Sequence, residues 1–202
     1  MCEITKATLG RLPTYLEFLY NVKDERETIS TSTIANALSF GAVQVKKDLS
    51  SVCDKGKPKV GYKTAELIQD IEKVINGVKT GIVLIGVGKL GRAILDYNGF
   101  EKFGMKISAA FDNDPNKIGR SENDIIISDV ADLQNYCESN KVTIGIIAVP
   151  KADAQAVCDS LISGGVKAIW NFAPIILKTN DDINVMQEDL ALSLAYLNLK
   201  TR

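Results

Sequence analysis

Ile82-Val83-Leu84-Ile85 runs directly into Gly86-Val87-Gly88-Lys89-Leu90-Gly91. A short apolar run bounded by glycines reads as a buried strand. Three glycines at this spacing, followed by a helical pattern, leave few structures open to the chain. The first glycine permits a tight turn and the second a close backbone approach to a pyrophosphate. The third lets helix pack on strand, and the helix N-terminus then offers free N–H groups to the anion. Asp112 follows 21 residues beyond Gly91, at the end of the next apolar run, Ile107–Phe111. A carboxylate there accepts hydrogen bonds from a ribose and repels a 2′-phosphate, which favours NAD over NADP. The plainer reading, a glycine turn with no ligand, has strand, glycines and acid together against it.

The strand–turn–helix pattern persists over roughly 100 residues, as a βαβ series would require. A helix is predicted through about Tyr97. Strands follow at Ile107–Phe111, near Ile125–Ser128, at Thr143–Val149 and at Val166–Asn171. Helices are predicted over Val130–Ser139 and from about Ala152 to Ile162. A last amphipathic helix, about Glu188–Leu199, carries Leu190, Leu194 and Leu197 on one stripe, to dock on its own domain or on a second subunit. The fold class is therefore α/β, with a doubly wound parallel sheet after residue 79. Pro150 after Ile146–Val149, and Asn171-Phe172-Ala173-Pro174, stand at the carboxyl edge of that sheet, where open α/β sheets bind ligands. Each serves equally as a strand terminator or as core.

Residues 1–78 read as helical. Leu12, Leu16 and Leu19 recur at helical spacing, with Pro13 opening or kinking that helix. Ser30-Thr31-Ser32-Thr33 offers N-caps for a second helix containing Ile34 and Leu38. After the turn Ser39-Phe40-Gly41, a third helix puts Val45, Leu49 and Val52 on its inner stripe. Gln44, Lys46, Lys47, Ser50 and Ser51 lie on its other faces. Two short helices about a glycine-containing turn make a helix-turn-helix pattern. The basic loop Asp54–Tyr62 comes next, as a wing would, and a fourth helix, Thr64 to Ile75, ends at Asn76-Gly77. Segment 43–63 holds six lysines (46, 47, 55, 57, 59 and 63) against Asp48 and Asp54. A basic helix face is commonly just solvated. Here lysines stand on the recognition helix and again in the loop, so they suit phosphates, while Gln44 or Ser50 can reach base edges.

Composition removes several classes. The chain has no histidine, which takes away the commonest general base and the commonest metal ligand. Its four cysteines lie far apart with no C-x-x-C pair, and read as reduced thiols, not a zinc site. The N-terminus lacks the apolar core of a signal peptide, and no run approaches the ~20 apolar residues of a membrane helix. A cytoplasmic protein with no membrane partner is expected.

The ordered set of motifs resembles the Rex family of bacterial redox-sensing transcriptional repressors. It comprises Lys6–Tyr15, Val45-Lys46-Lys47-Asp48-Leu49-Ser50, the glycine turn, Phe111–Gly119, Ala148-Val149-Pro150 and Asn171–Pro174. The resemblance implies a winged-helix DNA-binding domain over 1–78 and a Rossmann NAD(H)-binding domain over 79–180. A C-terminal segment, 181–202, would be exchanged between the subunits of a homodimer. It further implies repression from palindromic double-stranded operator DNA, with release by NADH in preference to NAD⁺.

The cofactor-binding residues expected are Gly86, Val87, Gly88, Lys89, Leu90, Gly91, Asp112, Asn113, Lys117, Val149, Pro150, Phe172 and Tyr97. Those expected at DNA are Gln44, Lys46, Lys47, Ser50, Lys57 and Lys59. By the same resemblance Phe172 lies near the nicotinamide, and Arg11 and Tyr97 couple the domains. The chain departs from the family pattern in two places. Ser51-Val52-Cys53 stands where Tyr-Phe-Gly is usual, and Gly56-Lys57-Pro58-Lys59 where the wing tip is usually Gly-Lys-Arg-Gly. The rival readings are an NAD-dependent oxidoreductase and a regulator sensing another nucleotide such as coenzyme A. Against the first stand the missing histidine and the short stretch after Pro174, so no enzyme, catalytic residue or metal site is expected.

Overall fold

Thr5 accepts a hydrogen bond from the Thr8 amide and so opens helix α1 (Lys6–Val22). The computed structural model describes residues 4–57, 60–76 and 81–201. They form two compact units, divided between residues 79 and 80.

In the first unit, Pro13 lies inside α1, not at its start. Strand β1 (Thr28–Ile29) leads to α2 (Thr31–Leu38), which is capped by Ser30 accepting from the Thr33 amide. Helix α3 (Ala42–Val52) follows after Ser39, whose φ of 55° turns the chain in the left-handed region. Strand β2 (Tyr62–Lys63) then pairs antiparallel with β1 and leads into α4 (Thr64–Ile75). Leu12, Tyr15, Leu16, Leu19, Ile34, Val45, Leu49, Leu67 and Ile71 are fully buried and make the core of this unit. Lys57 bridges Gly61 at the base of the loop before β2. Gly61 has a φ of +90°, and a Cβ there would fall 2.2 Å from the Ile29 carbonyl oxygen, so only glycine closes this turn. The expected Gly77 cap lies outside the described residues.

The second unit is a seven-stranded sheet. Its strands are β3 (Gly81–Ile85), β4 (Ile107–Asp112), β5 (Ser121–Glu122), β6 (Ile125–Asp129), β7 (Val142–Ile147), β8 (Ala168–Asn171) and β9 (Asn184–Gln187). The spatial order is β5-β6-β4-β3-β7-β8-β9, all parallel except the β5–β6 pair. The first strand of this sheet in chain order, β3, sits centrally between β4 and β7. The chain therefore winds outward in both directions, and the crevice of a doubly wound sheet lies at the carboxyl ends of these three strands.

One face, with Val83, Ile85, Phe111, Ile147 and Ile169, is buried under α6 (Leu133–Asn140) and α7 (Ala154–Ser163). The other, with Ile82, Leu84, Ile107, Ala110 and Ile146, packs Ile94 and Leu95 of α5 (Lys89–Leu95) and the half-buried rings of Phe100, Trp170 and Phe172. The helix after the glycine turn stops at Leu95 instead of Tyr97, because a 3-10 segment, Asn98–Phe103, takes over around Gly99. No helix joins β8 to β9; that connection instead lays Ala173, Leu177 and Ile183 on the first face. Helix α8 (Leu190–Leu199) departs from the amphipathic expectation. It is apolar on all sides, and Leu190, Leu192, Leu194, Tyr196, Leu197 and Leu199 are all exposed. Docking on its own unit is thereby excluded.

Candidate nucleotide cavity and DNA-facing helix

Gly86 has a φ of +95°, and a Cβ on it would meet the Ala148 carbonyl oxygen at 2.5 Å. A Cβ on Gly91 would fall 1.9 Å from the Gly86 carbonyl oxygen, so α5 starts pressed on the turn that precedes it. Around Gly88, by contrast, a Cβ would meet no atom within 4 Å. Two glycines are required by the fold itself; the middle one leaves room on the open side of the turn. That is the space a pyrophosphate needs at a helix N-terminus.

Gly86 and Gly88 edge a cavity of about 510 Å³ at the carboxyl ends of β3, β4 and β7. It brings together six further kinds of contact, from Asp112, Asn113, Lys117, Ala148, Val149 and Pro150. Val130 and Ala131 after β6, and Asp153, Ala156, Val157 and Ser160 of the α7 region, complete its wall. Sequence reasoning missed this second group. They are small, ordinary residues, and only the fold brings them to the crevice. Val87 is buried, Lys89 and Leu90 are exposed beside the turn, and Gly91 serves its packing.

Asp112 is buried and fully engaged. Its carboxylate accepts from the Val87 amide at 2.8 Å, the Asp114 amide at 2.9 Å and Lys117 Nζ at 2.9 Å. Burial alone would raise its pKa. The hydrogen bonds from Lys117 and the two amides outweigh that and hold it below the ordinary carboxylate range. The residue therefore ties the glycine turn to the end of β4, in addition to facing the cavity.

Phe172 and Tyr97 do not line the cavity; they belong to a row of rings. Tyr97 and Phe100 lie 5.1 Å apart, Phe100 and Trp170 6.1 Å, and Trp170 and Phe172 4.6 Å between centroids. Tyr97 is 60% exposed. The Phe172 amide donates to the Ile147 carbonyl, which places that residue one strand beyond the cavity wall at Ala148.

In the first unit, Gln44, Lys46, Lys47 and Ser50 are all exposed on α3, and Lys57 is exposed at the wing base. Lys59 lies outside the described residues. The inner side of α3 holds Asp48, buried to 3% exposure. It accepts from Thr8 Oγ1 at 2.9 Å, Tyr15 Oη at 2.7 Å, and Arg11 Nε and Nη2 at 2.7 and 2.8 Å. Burial pushes its pKa up, but Arg11, Tyr15 and Thr8 more than reverse this and hold it ionised below the usual range. Burial and the adjacent Asp48 push the Tyr15 hydroxyl up to about 12. One carboxylate thus fixes helix α3 to α1, and Arg11 is committed to it within this unit. Cys53 ends α3 and is buried, with its thiol pKa raised chiefly by burial, so it is an inert cap.

Comparisons with known proteins agree along the whole chain. Residues 78–175 match a family model described as "CoA binding domain", and residues 3–50 one described as "Putative DNA-binding protein N-terminus". A redox-sensing transcriptional repressor Rex from Clostridium beijerinckii is 39% identical over 96% of this chain and 93% of its own length. Among solved structures, RSP in complex with β-NAD⁺ and operator DNA is 32% identical with a TM-score of 0.89, covering 100% of this chain and 94% of that one. RSP in complex with β-NADH is likewise 32% identical, with a TM-score of 0.84 over 100% and 95%.

Proposed function

The chain belongs to the Rex family of redox-sensing transcriptional repressors, and we propose from that premise that NADH, held above the glycine turn, releases it from palindromic operator DNA. The observation that carries this reading is the open space at Gly88 beside the cavity formed with Asp112, Asn113 and Lys117. The donor set fits a dinucleotide. The amides opening α5 face the pyrophosphate, Val87 holds the turn through its amide bond to Asp112, and the Asn113–Lys117 wall takes the adenosine half. The second mononucleotide half falls at the ends of β7 and β8, by Phe172. Bound NADH supplies a reduced, uncharged nicotinamide where NAD⁺ supplies a cationic one, and that difference is what the protein reports. The protein is a regulator, not an enzyme.

At DNA, Lys46, Lys47 and Lys57 neutralise phosphates while Gln44 and Ser50 reach base edges. Lys59 is proposed to join them from the wing. The unpartnered, all-round apolar α8 supports a homodimer built by helix exchange. NADH shifts the dimer population away from the state whose two α3 helices match half-sites about 34 Å apart. Arg11 and Tyr97 are proposed to couple the two events. The site of action is the cytoplasm, and among the described residues no helix is long and apolar enough to cross a membrane.

Fluorescence anisotropy on a palindromic, AT-rich operator, with no cofactor, NAD⁺ or NADH, tests the reading. Release by NADH but not by NAD⁺ is expected, and binding indifferent to both overturns it. The cavity also suits the adenosine diphosphate shared with coenzyme A, which the matched family model favours as a second ligand. Release by coenzyme A alone would transfer the reading to that nucleotide.

A further inference from the structure

The polar groups of β8 and β9 meet in a junction that the proposed function does not itself require. Asn171, the last residue of β8, is completely buried. Its Nδ2 donates to the Ala173 carbonyl at 3.2 Å, the Ile175 carbonyl at 3.0 Å and Gln187 Oε1 at 2.7 Å. Its Oδ1 accepts from the Ala173 amide at 3.0 Å, and its carbonyl from the Glu188 amide at 2.8 Å. Gln187 Nε2 returns a bond to the Ala173 carbonyl at 2.9 Å. One residue earlier, Trp170, the chain's single tryptophan, donates from Nε1 to Glu188 Oε1 at 3.3 Å while its ring lies 4.6 Å from Phe172.

The loop 172–175 and the segment 187–188 are therefore held by the same few groups. The next residue is Asp189, whose carboxylate caps α8 through the Ala191 and Leu192 amides. Phe172 has its backbone on β7 and its ring on Trp170, so it cannot move without loading either the Asn171 amide or the Trp170–Glu188 bond. Both lead to the root of α8. A buried amide left with an unmet partner is costly, so the junction transmits displacement and does not absorb it.

We infer that Trp170, Asn171, Gln187 and Glu188 are positioning residues that carry cofactor occupancy from the Phe172 side of the sheet to the root of helix α8. The inference rests on the function proposed above. It adds that these four groups set how strongly NADH acts on operator binding, not how tightly either ligand binds.

Asn171 itself is too buried to vary safely, so the test uses the full-length variants Gln187→Ala, Trp170→Phe and Glu188→Ala. NADH affinity is read from the cofactor's own fluorescence, and operator affinity from anisotropy with and without NADH. Cofactor-free operator affinity and NADH affinity are expected to stay within about twofold of the parent, while the factor by which NADH weakens operator binding shrinks by about tenfold. Trp170→Phe combined with Glu188→Ala should do no more than the stronger single change, because each removes the same Trp170–Glu188 hydrogen bond. A merely structural junction would lower the melting temperature and leave that factor at its parental value, which would overturn the inference. A parent protein indifferent to NADH would instead bring down the functional reading, and this inference with it.

Discussion

The two units build their candidate sites by opposite means. The nucleotide cavity is shaped by backbone: Gly86 at a positive φ, Gly91 pressed against the Gly86 carbonyl, and Val87 held by Asp112. The candidate DNA-binding helix α3 is shaped by side chains, with Asp48 clamped by Thr8, Arg11 and Tyr15 while its opposite face remains solvated. A site made by backbone tolerates change at its rim and none at its packing glycines. A site made by side chains tolerates change on its exposed face and none at its anchor.

The largest effect follows from breaking the anchor. Arg11→Leu leaves the Asp48 carboxylate buried with only its two hydroxyl partners, and should cost the first unit about 3 kcal/mol in chemical denaturation. Operator binding should fall while NADH affinity holds, and equal loss of both would erase the contrast. Next come the glycines. Gly88→Val projects into open space, so melting should be unchanged, while NADH binding weakens about 100-fold because the pyrophosphate loses its close approach. Gly91→Ala drives a methyl into the Gly86 carbonyl, and should lower the stability of the second unit by about 2 kcal/mol as well. Identical behaviour of the two variants would mean that Gly88 is also a packing glycine.

On the exposed face, Lys46→Ala with Lys47→Ala should weaken binding to all DNA sequences and reduce the salt slope by about 2. An unchanged slope would locate the phosphate contacts elsewhere. The smallest effect is acid sensitivity. Asp48, Asp70 and Asp112 all have depressed folded-state values, Asp70 at about 2 through Lys73 and the Cys53 thiol. A depressed carboxylate stabilises above its unfolded value near 3.9, and that contribution is lost as pH falls through the folded one. The first unit holds two of the three, so its melting temperature should drop before that of the second between about pH 4 and pH 2.

The same contrast explains what could be read in advance. The glycine turn, the βαβ order and the end of β4 were legible, because backbone geometry restricts residue type at fixed spacing. The outer wall of the cavity was not, since Val130, Ala131, Ala156 and Ser160 carry no local signature. Asp112 was legible as a residue facing a ribose; its hold on Val87 and Lys117 depends on a register that only the folded sheet sets. Asp48 read as one more charge in a basic segment, although it anchors the whole helix. Helix α8 read as amphipathic on the strength of one leucine stripe, yet its other faces are apolar too.

These two differently built units are proposed to share one free energy of coupling. It is tested most directly by titrating NADH into the full-length protein, alone and saturated with operator. Linkage requires operator to weaken NADH binding by the factor by which NADH weakens operator binding. NADH affinity indifferent to operator would contradict the account.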